Sequence, residues 1–312
     1  MAESKRVSVV VPVMNEAENV PRLHAELARV ADANPAYAWE FVFVDDGSRD
    51  GTWQAMVLLQ QSDARLRIIR LKRNFGQTSA LSCGIDKSRG EIIVTMDGDL
   101  QNDPADIPKL LAKLEEHYDV VCGWRYQRQD KFWSRRLPSL IANRMIGWLT
   151  GVQLHDYGCS LKAMRADVIK RTPLYAEFHR YVTALVTLNG ALLAEIKVNH
   201  RPRRFGKTKY NLSRTWRVTM DMATIALLVK FAGKPLRLFG TAACLVALAA
   251  FVCLIRSWYW YVGPYHHVPQ VMPGIAVLGI WLAGQLVILG FMAELCLATS
   301  HAKPGSLIAA AE

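Results

Sequence analysis

Asp97 and Asp99 stand two residues apart in Met96-Asp97-Gly98-Asp99-Leu100-Gln101, at the end of the apolar run 91–96. Such a run predicts a buried strand. Side chains at i and i+2 of a strand point the same way, so both carboxylates would face one ligand. Two like charges held together call for a counter-charge. A hard divalent cation, Mg2+ or Mn2+, supplies it, and is usually held by one or two carboxylates plus substrate phosphates. The expected chemistry is therefore a metal–diphosphate site, with Gly98 letting the ligand approach the backbone. A polar loop closing a strand would use the same residue types, so the motif needs support from the elements around it.

Those elements alternate. Strands are expected at 7–13, 40–44, 67–71, 91–96 and 119–123, and helices at 16–33, 52–61, 77–88 and 104–117. In the first helix Val20, Leu23, Leu27 and Val30 share one face. Asp103-Pro104 is a good helix start, with aspartate as N-cap and proline in the first turn. Alternation of this kind predicts an α/β fold with a doubly wound, mostly parallel sheet. Ligands of such sheets bind beyond the carboxyl ends of the strands. Asp45-Asp46 and Asp97–Asp99 both fall there. A Gly-x-Gly-x-x-Gly turn after the first strand is absent, which argues against a dinucleotide dehydrogenase.

The 312 residues carry 38 Lys plus Arg against 27 Asp plus Glu, a net charge of +11. That balance points to a polyanionic partner: nucleic acid, an anionic membrane surface or phosphorylated substrates. The charge is concentrated in two clusters. One is Arg125, Arg128, Lys131, Arg135 and Arg136; the other is Lys197, Arg201, Arg203, Arg204, Lys207, Lys209, Arg214 and Arg217. Both precede candidate membrane helices, where phospholipid headgroups alone could explain them at roughly 1 kcal/mol per residue. The six cysteines are scattered and read as free, mostly buried thiols in a reducing setting. The N-terminus lacks the apolar stretch of a signal peptide.

After residue 124 the character changes. Residues 134–150 place Leu137, Leu140, Ile141, Met145, Trp148 and Leu149 on one helical face, with Arg135, Arg136, Ser139, Asn143 and Arg144 largely on the other. A basic amphipathic helix suits a membrane interface, and equally a helix packed on the sheet. Two apolar runs follow, 238–255 and about 271–293, each long enough to span a bilayer. The link between them is rich in Trp and Tyr and holds one Arg, whereas the amino-terminal part is strongly basic and Lys303 follows the second run. The positive-inside rule then places both termini in the cytoplasm. The expected organisation is a catalytic domain at 1–212, a juxtamembrane helix at 213–235, a two-helix hairpin at 236–298 and a tail at 299–312. The expected location is the inner (cytoplasmic) membrane, multi-pass, with the catalytic domain facing the cytoplasm.

Three further segments carry polar groups at strand ends: Val11-Pro12-Val13-Met14-Asn15-Glu16, Val44-Asp45-Asp46-Gly47-Ser48 and Arg73-Asn74-Phe75-Gly76-Gln77. Together with Met96-Asp97-Gly98-Asp99-Leu100-Gln101-Asn102-Asp103-Pro104, in this order, they resemble the family 2 glycosyltransferases with the GT-A fold. Asp156-Tyr157-Gly158-Cys159-Ser160-Leu161-Lys162 and Arg203-Arg204-Phe205-Gly206-Lys207-Thr208-Lys209-Tyr210, followed by two spans, narrow the resemblance to the polyprenyl-phosphate glycosyltransferases. That group includes dolichol-phosphate mannose synthases and undecaprenyl-phosphate formamido-arabinose transferases.

The resemblance implies inverting transfer of a sugar from a UDP- or GDP-linked donor to a membrane polyprenyl phosphate. It implies that Pro12, Asn15, Glu16, Asp46 and Gly76 contact the nucleotide-sugar, and that Asp97, Asp99 and Gln101 hold Mg2+ or Mn2+ on its diphosphate. Arg125, Arg135, Ser139, Arg203, Lys207 and Lys209 would meet the phosphates on the acceptor side. Some relatives have an acidic residue where Cys159 stands, so no base can be placed there. Asp156 is the nearest carboxylate, expected either in catalysis with Asp99 or in orienting sugar or acceptor. A polysaccharide synthase of the same superfamily would share the nucleotide site, but its Gln-x-x-Arg-Trp segment is absent. A membrane-tethered RNA-binding protein would explain the basic clusters and not the strand-end acids, so no nucleic-acid partner is expected. A homo-oligomer is compatible with the sequence.

Overall fold

The computed structural model describes residues 4–126, 147, 154–172, 182–188, 190–202, 234–263 and 271–299. The chain divides into two units, Met1–Ala223 and Thr224–Glu312.

In the first unit, β-branched and aromatic runs form seven strands: β1 (Arg6–Val13), β2 (Ala38–Asp45), β3 (Leu66–Arg70), β4 (Ile92–Thr95), β5 (Val120–Arg125), β6 (Lys162–Arg165) and β7 (Leu193–Val198). Between them lie α1 (Asn19–Ala33), α2 (Thr52–Ser62), α3 (Gln77–Lys87), a 3-10 turn (Pro104–Asp106) running into α4 (Ile107–Glu115), then α5 (Ala166–Ile169) and α6 (Val182–Leu188). The strands form one sheet in the order β3-β2-β1-β4-β6-β5-β7. All described pairings are parallel except those of β6, which runs antiparallel between β4 and β5. The expected mostly parallel α/β sheet is therefore present, with one reversed strand.

Both sheet faces are covered, so the strands are apolar on both sides. Val9, Val11, Phe41, Phe43 and Val94 face one core with Leu23 and Leu27 of α1 and Leu110 of α4. Val10, Val42, Val44 and Ile93 face the other, with Ala80 and Ile85 of α3 and Val186 of α6.

Several expected boundaries move, each for a local reason. The first helix begins at Asn19 rather than at 16, because Asn15 is left-handed (φ 56°) and turns the chain at the sheet edge. Ala31, not Val30, completes its buried face. The helix expected from 104 opens as a 3-10 turn. Asp103 does cap it, accepting from the Ala105 amide at 3.1 Å. β6 and β7 escaped the sequence reading: β6 is only four residues, and neither follows the β–helix–β rhythm.

The second unit contains α7 (Pro235–Val262) and α8 (Val271–Thr299). Both are long and apolar enough to cross a membrane. Leu245, Trp258, Leu278 and Trp281 are each more than 60% exposed, which the core helix of a soluble protein would not allow. An apolar exterior on helices of this length fits a lipid environment, and the chain is read as a membrane protein. The two helices meet along small residues. Ala243, Ala250, Ala276 and Ala283 are buried, and a Cβ on Gly279 would come within 2.9 Å of Ala250 Cβ. Close backbone approach through small residues is the packing mode open to helices in lipid.

The six cysteines are free, but fewer are buried than expected. Cys122 and Cys159 lie in the sheet core, whereas Cys244 and Cys296 are exposed on the apolar helices, where lipid would cover them.

Candidate functional site

The chain lays β2 and β3 to one side of β1 before β4 returns on the other side. The loops leaving β1, β2 and β4 therefore gather at the carboxyl edge of neighbouring strands, the usual ligand position in such sheets. Register brings the edge groups level: Val13 pairs with Asp45, and Val10 with Thr95.

The loop after β1 is stitched to the loop after β2. The Asn15 amide donates to Ser48 Oγ at 2.9 Å, and Asn15 Oδ1 accepts from the Arg49 amide at 2.9 Å. The Glu16 amide donates to Thr52 Oγ1 at 2.8 Å, while the Glu16 carboxylate accepts from Asn19. Pro12 lies in register with Val44 at the end of β1.

Asp46 is buried, and its carboxylate accepts from the amides of Phe75 (2.8 Å) and Gly76 (3.0 Å). Each oxygen keeps a second lone pair. Gly76 is left-handed (φ 94°), so this turn favours glycine there. Gly47 is under a stronger constraint: its φ is 73°, and a Cβ would lie 2.6 Å from the Arg73 carbonyl carbon and 2.7 Å from the Asn74 nitrogen. Gly47→Ala should push the 73–76 loop away from Asp46. We expect a loss of about 1–3 kcal/mol in thermal unfolding and a raised KM for the donor. An unchanged donor KM would show that the loop plays no part in binding.

Asp97 and Asp99 lie beyond β4, which ends at Thr95, so strand periodicity is not what brings them together. The loop does, through a left-handed Leu100 (φ 61°). Gly98 has a different purpose from the one expected. A Cβ there would meet Val13 Cγ1 at 2.7 Å, so glycine lets this loop pack on the end of β1. Asp97 accepts from Gln77 Nε2 at 2.6 Å. Asp99 is buried and accepts from the Gln101 amide at 3.2 Å. Burial, then the neighbouring Asp99 charge, push the Asp97 carboxyl above its ordinary range; Ser160, Arg125 and Lys162 act in the opposite direction. Mutual repulsion of this kind is what a cation relieves. Among the described residues no cluster of three or more His, Cys, Asp or Glu could hold a metal. Two carboxylates with Gln101, water and phosphate oxygens would match the coordination Mg2+ and Mn2+ favour in nucleotide sites. The donor set fits the expected metal.

Asp156 is buried and both its oxygens engage Arg125, at 2.6 Å to Nε and 2.8 Å to Nη2. Its own amide donates to Glu195 Oε1 at 2.9 Å. Burial works against the Arg125 charge, but the hydrogen bonds and charge of Asp156 outweigh it and hold the guanidinium firmly protonated. Cys159 is buried and its thiol is pushed up to about 11, chiefly by burial, so it is neutral and supplies no base.

Three residues without an expected role also bear on the site. Lys162 is buried beneath the 157–161 turn, donates to the carbonyls of Tyr157 and Cys159, and lends positive charge to Asp97. Asn102 Oδ1 accepts from the Asp97 amide (3.4 Å) and Ser160 Oγ (2.9 Å). Gln77 holds Asp97. All three stand in the motifs that carry the family resemblance, which was their one signal in the sequence. Arg135, Ser139, Arg203, Lys207 and Lys209, and the helix expected at 134–150, lie outside the described residues.

The family model for glycosyl transferase family 2 matches residues 8–172. Dodecaprenyl-phosphate galacturonate synthase of Rhizobium johnstonii is 39% identical over 313 residues, covering 97% of this chain and 91% of that protein. Undecaprenyl-phosphate 4-deoxy-4-formamido-L-arabinose transferase of Salmonella choleraesuis is 34% identical, covering 94% and 88%. Among solved structures, glucosyl-3-phosphoglycerate synthase of Mycobacterium tuberculosis, in complex with Mn2+, UDP and glucosyl-3-phosphoglycerate, superposes with a TM-score of 0.57 at 17% identity, covering 72% of this chain and 79% of that one. That likeness is one of fold, and it extends to the GT-A sheet. With a family match over more than half its length and relatives at 34–39% identity along nearly all of it, this chain is a glycosyltransferase and belongs to family 2, among the polyprenyl-phosphate glycosyltransferases.

Proposed function

We propose that this enzyme transfers a sugar, with inversion, from a UDP- or GDP-linked donor to the phosphate of a polyprenyl lipid such as undecaprenyl phosphate. Transfer takes place at the cytoplasmic face of the inner membrane. The observation that supports the reading is that Asp46 and the Asp97–Asp99 pair follow the carboxyl ends of β2 and β4 in one mostly parallel sheet, in a chain that also has two candidate spans.

The donor's base lies against Asp46, whose spare lone pairs accept a base N–H, with Pro12, Asn15, Glu16 and Gly76 lining the nucleotide. Asp97, Asp99 and Gln101 would hold Mg2+ or Mn2+, which would supply positive charge to offset that developing on the diphosphate leaving group. A phosphate monoester has a second pKa near about 6, so the acceptor is already anionic at neutral pH. Its oxygen attacks the anomeric carbon, the bond to the diphosphate breaks, and the electron pair leaves with the nucleotide. No proton has to be removed. Asp156 therefore acts as a positioning residue, aiming Arg125, whose remaining N–H groups meet the acceptor phosphate. Arg135, Ser139, Arg203, Lys207 and Lys209 complete the phosphate contacts.

The test is to offer the purified full chain UDP-galacturonate, UDP-glucose, UDP-linked formamido-arabinose and GDP-mannose, each with undecaprenyl phosphate and Mn2+ or Mg2+. One donor should yield a lipid-linked sugar and free nucleoside diphosphate. If none reacts and none binds, the proposal fails.

A further inference from the structure

In sequence, Arg201 belongs to the basic cluster at 197–217, next to Arg203, which the resemblance aims at phosphates. Its surroundings are those of a clamp. Nη1 contacts Glu26 of α1 at 2.8 Å, and Nη2 contacts Asp103 of the metal-binding loop at 2.7 Å. Two carboxylates from separate elements thus share one guanidinium, a planar fork that suits bridging. The backbone joins in. The Arg201 amide donates to the Gln101 carbonyl at 2.9 Å, and His200 pairs with Asn102 in an antiparallel bridge. One residue earlier, the Asn199 amide donates to Asp106 (2.6 Å) and its side chain to Asp103 (3.1 Å).

The chain leaving β7 is therefore laced along the loop that carries Asp99, Gln101 and Asn102. That loop contains the left-handed Leu100, a conformation that persists only when its surroundings over-determine it. Ser160 and Gln77 hold its other side through Asn102 and Asp97.

We propose that Arg201 is a positioning residue: it does not grip a phosphate but ties α1, the metal-binding loop and the chain leaving β7 together, and so sets the geometry of Asp99 and Gln101. The inference deepens the proposed function and rests on it for the identity of the metal loop.

The test uses the full chain in phosphatidylcholine–phosphatidylglycerol nanodiscs, comparing wild type with Arg201→Ala, Arg201→Lys and Glu26→Gln. The first readout is hydrogen exchange without metal or donor. Arg201→Ala should accelerate exchange about 10-fold or more at Gln101 and Asn199, where local opening replaces a held loop. Arg201→Lys and Glu26→Gln should give intermediate rates, because each leaves one carboxylate arm bound. The second readout is the Mn2+ half-saturation of transfer to undecaprenyl phosphate. It should rise about 10–100-fold in Arg201→Ala, as loss of a ligand's supporting partner does, with the KM for undecaprenyl phosphate little changed. A raised lipid KM with unaltered exchange and Mn2+ dependence would place Arg201 with the phosphate-contacting residues and overturn the proposal. So would an Arg201→Lys protein that matches wild type in both readouts. If Arg201→Ala fails to fold, the two milder variants decide by the same criteria. Wild type that needs no divalent metal would overturn the proposed function instead, while the exchange arm still tests the clamp.

Discussion

Asp99→Ala is expected to lower turnover by about 1000-fold or more while leaving the metal-free protein at least as heat-stable as wild type. The first half follows from charge. A divalent cation on a leaving group stabilises the transition state by several kcal/mol, and each 1.36 kcal/mol or so corresponds to tenfold in rate. The second half follows from the repulsion that raises the Asp97 carboxyl. With no cation present, Asp97 and Asp99 oppose each other, and removing one relieves the other. The pH dependence has a definite sign. A carboxyl whose folded pKa is raised binds its proton more tightly in the native state. The metal-free protein should therefore lose stability as pH rises from the ordinary Asp value of 3.8 through the raised one, and Asp97→Asn should remove that dependence. Wild type should gain thermal stability from Mn2+ plus its nucleotide, by mass action, and Asp99→Ala should gain none. Thermal unfolding with and without chelator measures all of this. Full turnover in chelator would end the metal reading.

The second large effect is expected at Arg125 and Asp156. Their side chains are only 15% and 4% exposed, so this is a buried pair rather than a surface one. Removing one partner of such a pair strands the other and costs about 3–5 kcal/mol, whereas replacing both by apolar residues is often close to neutral. Arg125→Ala should thus lower the thermal midpoint by about 6–20 °C, at roughly 2–4 °C per kcal/mol for a unit of this size. Arg125→Met with Asp156→Leu should recover most of that loss, and the shortfall from additivity measures the coupling. Turnover should not recover with stability, because the double variant lacks the Arg125 charge that acts on Asp97. Asp156→Asn leaves a neutral acceptor for Arg125 and should slow transfer about 10- to 100-fold, within the range of a mispositioned group. If it instead abolished transfer with stability intact, Asp156 would be acting on the reaction itself.

Much of this was legible in the residues. The βα rhythm up to residue 123 is written in apolar runs of strand length and stripes of helical spacing, both of which are local signals. The strand-end acids could be placed for the same reason: once a sheet is mostly parallel, its carboxyl edge is known. The two apolar helices follow from length and hydropathy alone. What escaped is non-local. β6 has four residues and owes its place to pairing with β4 and β5, strands 92–95 and 120–125 in the chain. Gly98 looked like an opening for a ligand, and only the packing of its loop on Val13 showed why glycine stands there.

Composition and pattern by themselves determined an α/β sheet, an acidic pair at its edge, basic clusters and an apolar carboxy-terminal hairpin. Tertiary structure alone decided which charges are committed and to what. Arg125 and Arg201 look alike in sequence, each a member of a basic cluster. Folding places the first on Asp156 beside the Asp97–Asp99 pair and the second between Glu26 and Asp103. The physical reason is that the fate of a charge depends on partners distant in sequence, which only the folded sheet and its connections bring within hydrogen-bonding distance.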